Sequence, residues 1–134
     1  MITDGKGRPL HVTLTAGNRH DMAAADELLE HARGRALIGD TGYDSDAFSR
    51  KIRSLGMKVV ICCHPTRKRN RRHLDRRLYR TRYRVECFFH DLKRFRAVAS
   101  RYDKSAQNYL GMVELACAWR WLPKPPQHRS EMIA

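Results

Sequence analysis

The feature that most constrains the fold is a pair of short strand-like segments separated by a helical pattern. "RALIGD" (35–40) and "MKVVICC" (57–63) are the two segments, and "AFSRKIRSLG" lies between them with the spacing of a helix. Earlier in the chain, "PLHVTLTA" alternates Leu10, Val12 and Leu14 with polar residues, which is the period of a strand with one buried face. Because strands and helices alternate, the sequence predicts an α/β fold.

The predicted architecture is one mixed sheet covered by helices. The strands are expected at 8–16, 35–40 and 57–63, and the helices near 21–32, 45–55, 78–95 and 105–122. Asp4-Gly5 is a hairpin-turn signal, although only "MIT" remains of the strand that should precede the turn. The basic stretch 66–77 is interpreted as a loop and residues 123–134 as a flexible tail.

Charge gives the clearest indication of a partner. The net charge is +13, and residues 66–104 hold 15 Lys and Arg against four Asp and Glu, so +11 of it lies in one central block. Charge of one sign at this density is typical of a surface for a polyanion, and nucleic acid is favoured over a membrane surface. No apolar run approaches the length of a membrane span and the N-terminus has no leader pattern, so we expect a cytoplasmic, nucleoid-associated protein.

The four cysteines indicate neither a disulfide framework nor a zinc site. Cys62 and Cys63 are adjacent, Cys87 and Cys117 fall in apolar helical patterns, and no pair has Cys-x-x-Cys spacing. Buried reduced thiols are the prediction.

The helix 78–95 carries two stripes of side chains. Leu78, Val85, Phe88, Leu92 and Phe95 form an apolar stripe that is expected to face the core. A second stripe lies about a quarter turn away at 100° per residue. Its members, spaced by 3, 4 and 7 residues, are Tyr79, Arg82, Glu86 and Lys93.

Glu86 on this second stripe has two interpretations. Helix statistics alone favour a structural ion pair between Glu86 and Arg82. Asp40 is similarly ambiguous, because it ends a strand where open α/β sheets place ligands, but it could also be the N-cap of the following helix. Asp44 and Ser45 are better placed to cap the helix that follows, and Asp21 and Asp46 are read as acids at helix starts.

The spacing Tyr-x2-Arg-x3-Glu-x6-Lys resembles the signature around the final glutamate of DDE transposases from bacterial insertion sequences. "IGDTGYDSDAF" resembles the segment around the second aspartate of that family, and "GRPLHVTLTAGNRHD" resembles the strand and turn before it. Together with "RVECFFHDLKRFRAVASRYDK", these stretches resemble the group named after insertion sequence number five. The resemblance runs from about residue 3 to residue 122.

The resemblance implies an RNase H-like catalytic domain and assigns its site residues. Asp40 becomes the second catalytic carboxylate and Glu86 the third, both holding Mg²⁺ or Mn²⁺. The implied reaction is hydrolysis of DNA at the transposon end, followed by transesterification into target DNA. Phosphate contacts are assigned to residues of the basic stretch and the second stripe: Arg67, Lys68, Arg69, Arg71, Arg72, Arg76, Arg77, Tyr79, Arg82 and Lys93.

The first aspartate of the family triad has no counterpart in this sequence, since Asp4 occupies the hairpin turn. Residues 1–122 are therefore predicted to be a partial RNase H-like domain, N-terminally truncated, without its first strand and most of its second. The chain is expected to be inactive alone, to need an upstream N-terminal transposase segment and to form a homo-oligomer when active. An exposed sheet edge also predicts self-association.

Two other classes of function remain open on the sequence. One is a non-enzymatic basic DNA-binding module in which Asp40 and Glu86 are structural. The other is an RNA-associated basic protein, for which the charge suffices but the motifs around Asp40 and Glu86 have no explanation.

Overall fold

The computed structural model describes residues 1–15, 21–68, 73–100 and 105–123. The predicted C-terminal tail, apart from Pro123, lies outside this part of the chain, as do three of the predicted phosphate-binding residues, Arg69, Arg71 and Arg72.

The chain opens with a β-hairpin, as the Asp4-Gly5 signal predicts. β1 (Ile2–Thr3) pairs antiparallel with β2 (Pro9–His11). Asp4 organises the turn, because its Oδ1 accepts from the N–H of Arg8 at 2.9 Å and its own N–H donates to the Arg8 carbonyl at 2.8 Å. Gly7 has φ of +77°, a left-handed conformation that glycine adopts without steric cost. Strand β2 is three residues long, shorter than the predicted 8–16.

The two strand-like segments at 35–40 and 57–63 form a parallel pair. β3 (Ala36–Gly39) and β4 (Lys58–Ile61) are in register, with Gly39 opposite Ile61. Helix α2 (Asp46–Ser54) connects them, so the three elements make a βαβ unit. Both strands fall inside the predicted ranges, and the α/β class is confirmed.

The prediction of one mixed sheet is wrong for the described residues, whose strands form two separate two-stranded sheets. The hairpin packs against helical residues instead of extending the parallel pair. The carbonyl of Pro9 accepts from the indole Nε1 of Trp121 at 2.8 Å, and the carbonyl of Gly5 accepts from Arg84. The side chains of Arg84 and Trp121 therefore hold the hairpin in place.

The N-terminal helices lie within their predicted ranges. A 3₁₀ helix, Asp21–Ala24, leads into α1 (Ala25–Glu30). Ser45 caps α2, since its hydroxyl accepts from the N–H of Phe48 at 3.4 Å.

The predicted helix 78–95 is divided in the structure. Residues 76–92 form α3 (Arg76–Tyr79), a 3₁₀ turn (Arg80–Arg82) and α4 (Tyr83–Leu92), which ends three residues before the predicted end. A further helix, α5 (Arg96–Ser100), was not predicted. The Thr81 hydroxyl donates to the Leu78 carbonyl at 2.7 Å, a local hydrogen bond that competes with regular helix at the 3₁₀ turn.

Helix α3 also begins inside the stretch predicted to be a loop. Asp75 caps it, and its Oδ1 accepts from the Leu78 N–H at 3.1 Å. The last helix, α6 (Ala106–Trp121), agrees with the predicted 105–122.

Two apolar clusters hold these elements together. The first packs α1 and α2 on β4 and contains Ala25, Leu29, Ala32, Phe48, Ile52, Met57 and Ile61. The second joins α4, α5 and α6 and contains Phe88, Leu92, Val98, Val113, Ala116 and Cys117. In the predicted apolar stripe, Phe88 and Leu92 are buried, whereas Phe95 is exposed.

The cysteines were predicted to be buried, but they differ in burial. Cys117 is buried, Cys62 and Cys63 are half-buried, and Cys87 is exposed. Cys87 lies about 100° around α4 from Phe88, which turns it away from the core side of the helix.

Candidate functional site

Asp40 lies where β3 ends and the chain turns. It caps the 3₁₀ turn Thr41–Tyr43, because its Oδ1 accepts from the N–H of Gly42 at 2.9 Å. The turn packs closely on the sheet, since a Cβ added to the buried Gly39 would lie 3.4 Å from Ile61 and 3.5 Å from Tyr43. Asp40 thus stands at the carboxyl end of a parallel strand, as predicted, and the cap it forms belongs to this 3₁₀ turn and not to the following helix, which Ser45 caps.

The other end of this turn is held by Asp44. Its side chain is 1% exposed, and its Oδ2 accepts from the backbone N–H of His64 at 2.7 Å and from Arg67 Nε at 3.0 Å. Arg67 Nη1 also donates to Asp46 Oδ1 at 2.9 Å. The hydrogen bond to Asp46 raises the pKa of Arg67 above its ordinary value, and the charge of Asp44 adds to this effect.

The second stripe brings together three of its four predicted members. Arg82 Nη2 lies 2.6 Å from Glu86 Oε1, and the Arg82 guanidinium carbon lies 5.8 Å from the centre of the Tyr79 ring. The Glu86 side chain is 60% exposed, so its carboxylate faces solvent despite the ion pair. Lys93 is exposed at the end of α4.

Asp40 and Glu86 come from different elements. Helix α3, which precedes the Glu86 helix, contacts both β3 and β4. The second stripe therefore begins beside the parallel pair, and Asp40 directly follows β3 of that pair. Within the described ranges, no three His, Cys, Asp or Glu side chains are grouped as the ligands of a metal ion.

The donor chemistry of the two carboxylates fits a hydrated divalent cation. Mg²⁺ prefers carboxylate oxygen and commonly keeps several waters while one or two carboxylates bind it. Asp40 is half-buried and Glu86 is exposed, so both leave room for water ligands.

The predicted phosphate-binding residues differ in their surroundings. Lys68, Arg76 and Arg77 are exposed, as a phosphate contact requires. Arg67, whose side chain is only 16% exposed, is instead engaged with two carboxylates of its own chain.

Sequence reasoning missed the role of Asp44, which it treated as a candidate helix cap. The structure assigns the cap to Ser45 and leaves the Asp44 side chain to bind the loop after β4. One signal was available in the sequence: Asp44 and Ser45 are both capping residues, and the following helix needs only one N-cap. Asp46 does start α2 as predicted, although it also binds Arg67.

Comparison with known proteins gives a consistent family. The profile described as "Transposase DDE domain" matches residues 1–121. The chain is 38% identical over 123 residues to the putative transposase for insertion sequence element IS6501 of Brucella ovis, with 90% of this chain and 94% of that protein covered.

A second relative is more distant and longer. The chain is 28% identical over 142 residues to the putative transposase for insertion sequence element IS402 of Burkholderia cepacia, with 95% of this chain but 64% of that protein covered. No solved structure matches the chain significantly. In the part of the chain that the structure describes, no helix has the length and apolar character needed to cross a membrane. The family match and these relatives show that the chain belongs to the DDE transposases of insertion sequences.

Proposed function

We propose that this chain is the C-terminal part of a transposase catalytic domain of the insertion sequence five group, with Asp40 and Glu86 as catalytic, metal-binding carboxylates. The observation that carries the proposal is an exposed carboxylate, Glu86, beside Arg82 and Tyr79 in the most basic part of the chain. A carboxylate in that environment is useful if a cation joins it to the phosphates of DNA.

Mg²⁺ or Mn²⁺, when bound, would activate the attacking oxygen and stabilise the leaving oxygen at phosphorus. The residues of the chain contribute position and charge. Arg82 uses one terminal nitrogen to bind Glu86, which orients the carboxylate and leaves other guanidinium N–H groups for a phosphate. Lys93 and the exposed Lys68, Arg76 and Arg77 supply further phosphate contacts, which position DNA without reading its sequence.

The proposal extends to the rest of the domain. The parallel pair with Asp40 at its carboxyl end supports an RNase H-like fold. The proposed truncation, without the first strand and most of the second, rests instead on the sequence, in which the first aspartate of the triad has no counterpart. The first aspartate of the triad and these strands would come from an upstream transposase segment, and the active form would be a homo-oligomer in the cytoplasm, associated with the nucleoid. The chain alone would bind transposon ends and target DNA without cleaving them.

A second candidate is a non-enzymatic DNA-binding module. It is favoured by the local contacts of the two carboxylates: Glu86 lies 2.6 Å from Arg82, and Asp40 accepts from the N–H of Gly42 at 2.9 Å. On this alternative, the Arg82–Glu86 pair and the Asp40 cap would be purely structural.

A nicking assay separates the two candidates. The substrate is a duplex that contains the transposon end, and the proteins are the chain, the chain fused in frame to the upstream-encoded segment, and the fusion with Asp40→Asn. We expect Mg²⁺- or Mn²⁺-dependent nicking by the fusion alone, with DNA binding retained in the variant because no phosphate contact is removed. Metal-dependent cleavage by the bare chain, or a fully active Asp40→Asn fusion, would contradict the assignment.

A further inference from the structure

The segments that follow the two parallel strands are tied to each other by side chains. Asp44, beyond β3, accepts from the N–H of His64 and from Arg67, both beyond β4, at 2.7 and 3.0 Å. Arg67 reaches Asp46 as well, at 2.9 Å. We refer to Asp44, Asp46 and Arg67 as the clasp.

The clasp acts on the turn that presents Asp40. The turn starts at Asp40 and ends at Asp44, whose backbone N–H donates to the Thr41 carbonyl at 3.1 Å. Strand β3 holds the first end of the turn, and the bonds from His64 and Arg67 hold the other. With both ends held, the direction of the Asp40 carboxylate is fixed relative to the carboxyl edge of the sheet.

The same bonds change the expected role of Arg67. Its guanidinium uses Nε for one carboxylate and Nη1 for another, while 16% of the side chain is exposed. A phosphate would have to compete with two carboxylates, one of them almost fully buried and costly to leave unpaired. Lys68, the next residue, is exposed.

We propose that the clasp positions Asp40 for metal binding, and that Arg67 is a positioning residue rather than a phosphate ligand. Lys68 is then the first residue of the basic stretch 66–77 that contacts DNA. This inference rests on the proposed function of Asp40 as a metal ligand.

The clasp itself is tested by thermal unfolding of Asp44→Asn, Arg67→Gln and the double variant. Each single variant should lower the unfolding midpoint, and the double variant should lower it by less than the sum, because the two residues act through one contact. Arg50→Gln is the matched control: it makes the same charge change on an exposed position of α2 and should leave the midpoint nearly unchanged.

The positioning role is tested by Mn²⁺ titration of the full chain, followed by the electron paramagnetic resonance signal of free Mn²⁺. The affinity to compare among the variants is that of the Mn²⁺ binding that is lost in Asp40→Asn. Arg67→Gln should weaken it about tenfold, the lower end of the range for residues that orient metal ligands. Loss of a positive charge would by itself strengthen cation binding, so a weakening cannot come from charge alone, and Arg50→Gln should show no weakening.

The role in DNA binding is tested by the salt dependence of affinity for duplex DNA. Lys68→Gln should reduce the slope of log affinity against log salt by about 0.9, the loss of one phosphate contact, while Arg67→Gln should keep the wild-type slope.

Several results would overturn the inference. The inference would be overturned if the shifts of the unfolding midpoint were additive in the double variant. It would also be overturned if Arg67→Gln kept the wild-type Mn²⁺ affinity, or if it reduced the slope of log DNA affinity against log salt by about 0.9. Equal Mn²⁺ binding by wild type and Asp40→Asn would refute the proposed metal site and the positioning role with it. If the shifts of the unfolding midpoint were additive while Mn²⁺ binding still depended on Asp40, the clasp would be refuted and the proposed metal site would stand.

Discussion

Replacement of Glu86 by glutamine separates a structural ion pair from a catalytic carboxylate. The structure sets the stability cost, because the pair joins Arg82 Nη2 and Glu86 Oε1 at 2.6 Å while the two side chains are 34% and 60% exposed. Water screens charges at that exposure, and an i,i+4 pair on a helix contributes about 0.3–0.5 kcal/mol. For a domain of this size, at roughly 4 °C per kcal/mol, the unfolding midpoint should fall by only about 1–2 °C.

The expected effect on chemistry is far larger. A metal ligand contributes several kcal/mol of transition-state stabilisation, so Glu86→Gln should reduce nicking by the upstream fusion on the order of 1000-fold. DNA affinity should be unchanged or slightly higher, since a negative charge leaves a basic surface.

The assay pairs a thermal melt with the nicking assay, and Glu114→Gln on the exposed side of α6 is the matched control for loss of one carboxylate. The control should retain both stability and cleavage. A midpoint lowered by more than about 5 °C together with undiminished nicking would show that Glu86 serves the fold and that its catalytic assignment is wrong.

Three further predictions concern the fold. Trp121→Phe removes the indole N–H that bonds the hairpin carbonyl, and should cost about 1 kcal/mol in urea unfolding; an unchanged midpoint would show that this bond does not hold the hairpin. A hydrogen bond from Lys58 lowers the pKa of Asp75 in the folded protein. The ionised Asp75 therefore stabilises the fold above its ordinary pKa, and this stabilisation is lost as the pH falls through its lower pKa in the folded state. In Asp75→Asn the melting midpoint should therefore decrease less steeply than in wild type as the pH falls below about pH 4. An equally steep decrease would show that Asp75 is not its cause. Cys87 is exposed whereas burial raises the pKa of the Cys117 thiol, so alkylation followed by mass spectrometry should modify Cys87 first; faster labelling of Cys117 would place that residue at the surface.

Several parts of the structure were predictable because they depend on neighbouring residues. The Asp4 turn closes through hydrogen bonds within five residues, and Ser45 caps α2 through a bond to Phe48. The apolar segments 35–40 and 57–63 contain β3 and β4, since short apolar runs between polar turns have few alternatives to a buried strand. The contact between Arg82 and Glu86 was likewise predictable, because side chains four residues apart are neighbours on a helical backbone.

The partners of these elements were decided only by tertiary structure. Nothing local distinguishes a hairpin that extends the parallel pair from one whose Pro9 carbonyl is taken by Trp121, which is 112 residues away in the chain. In the same way, Arg67 looks like one more cation in a basic run until the fold brings Asp44 and Asp46 to it from more than 20 residues earlier. Local hydrogen bonds and periodicity determined where strands and turns form, whereas competition among distant groups for the same donors and acceptors determined which of them pair.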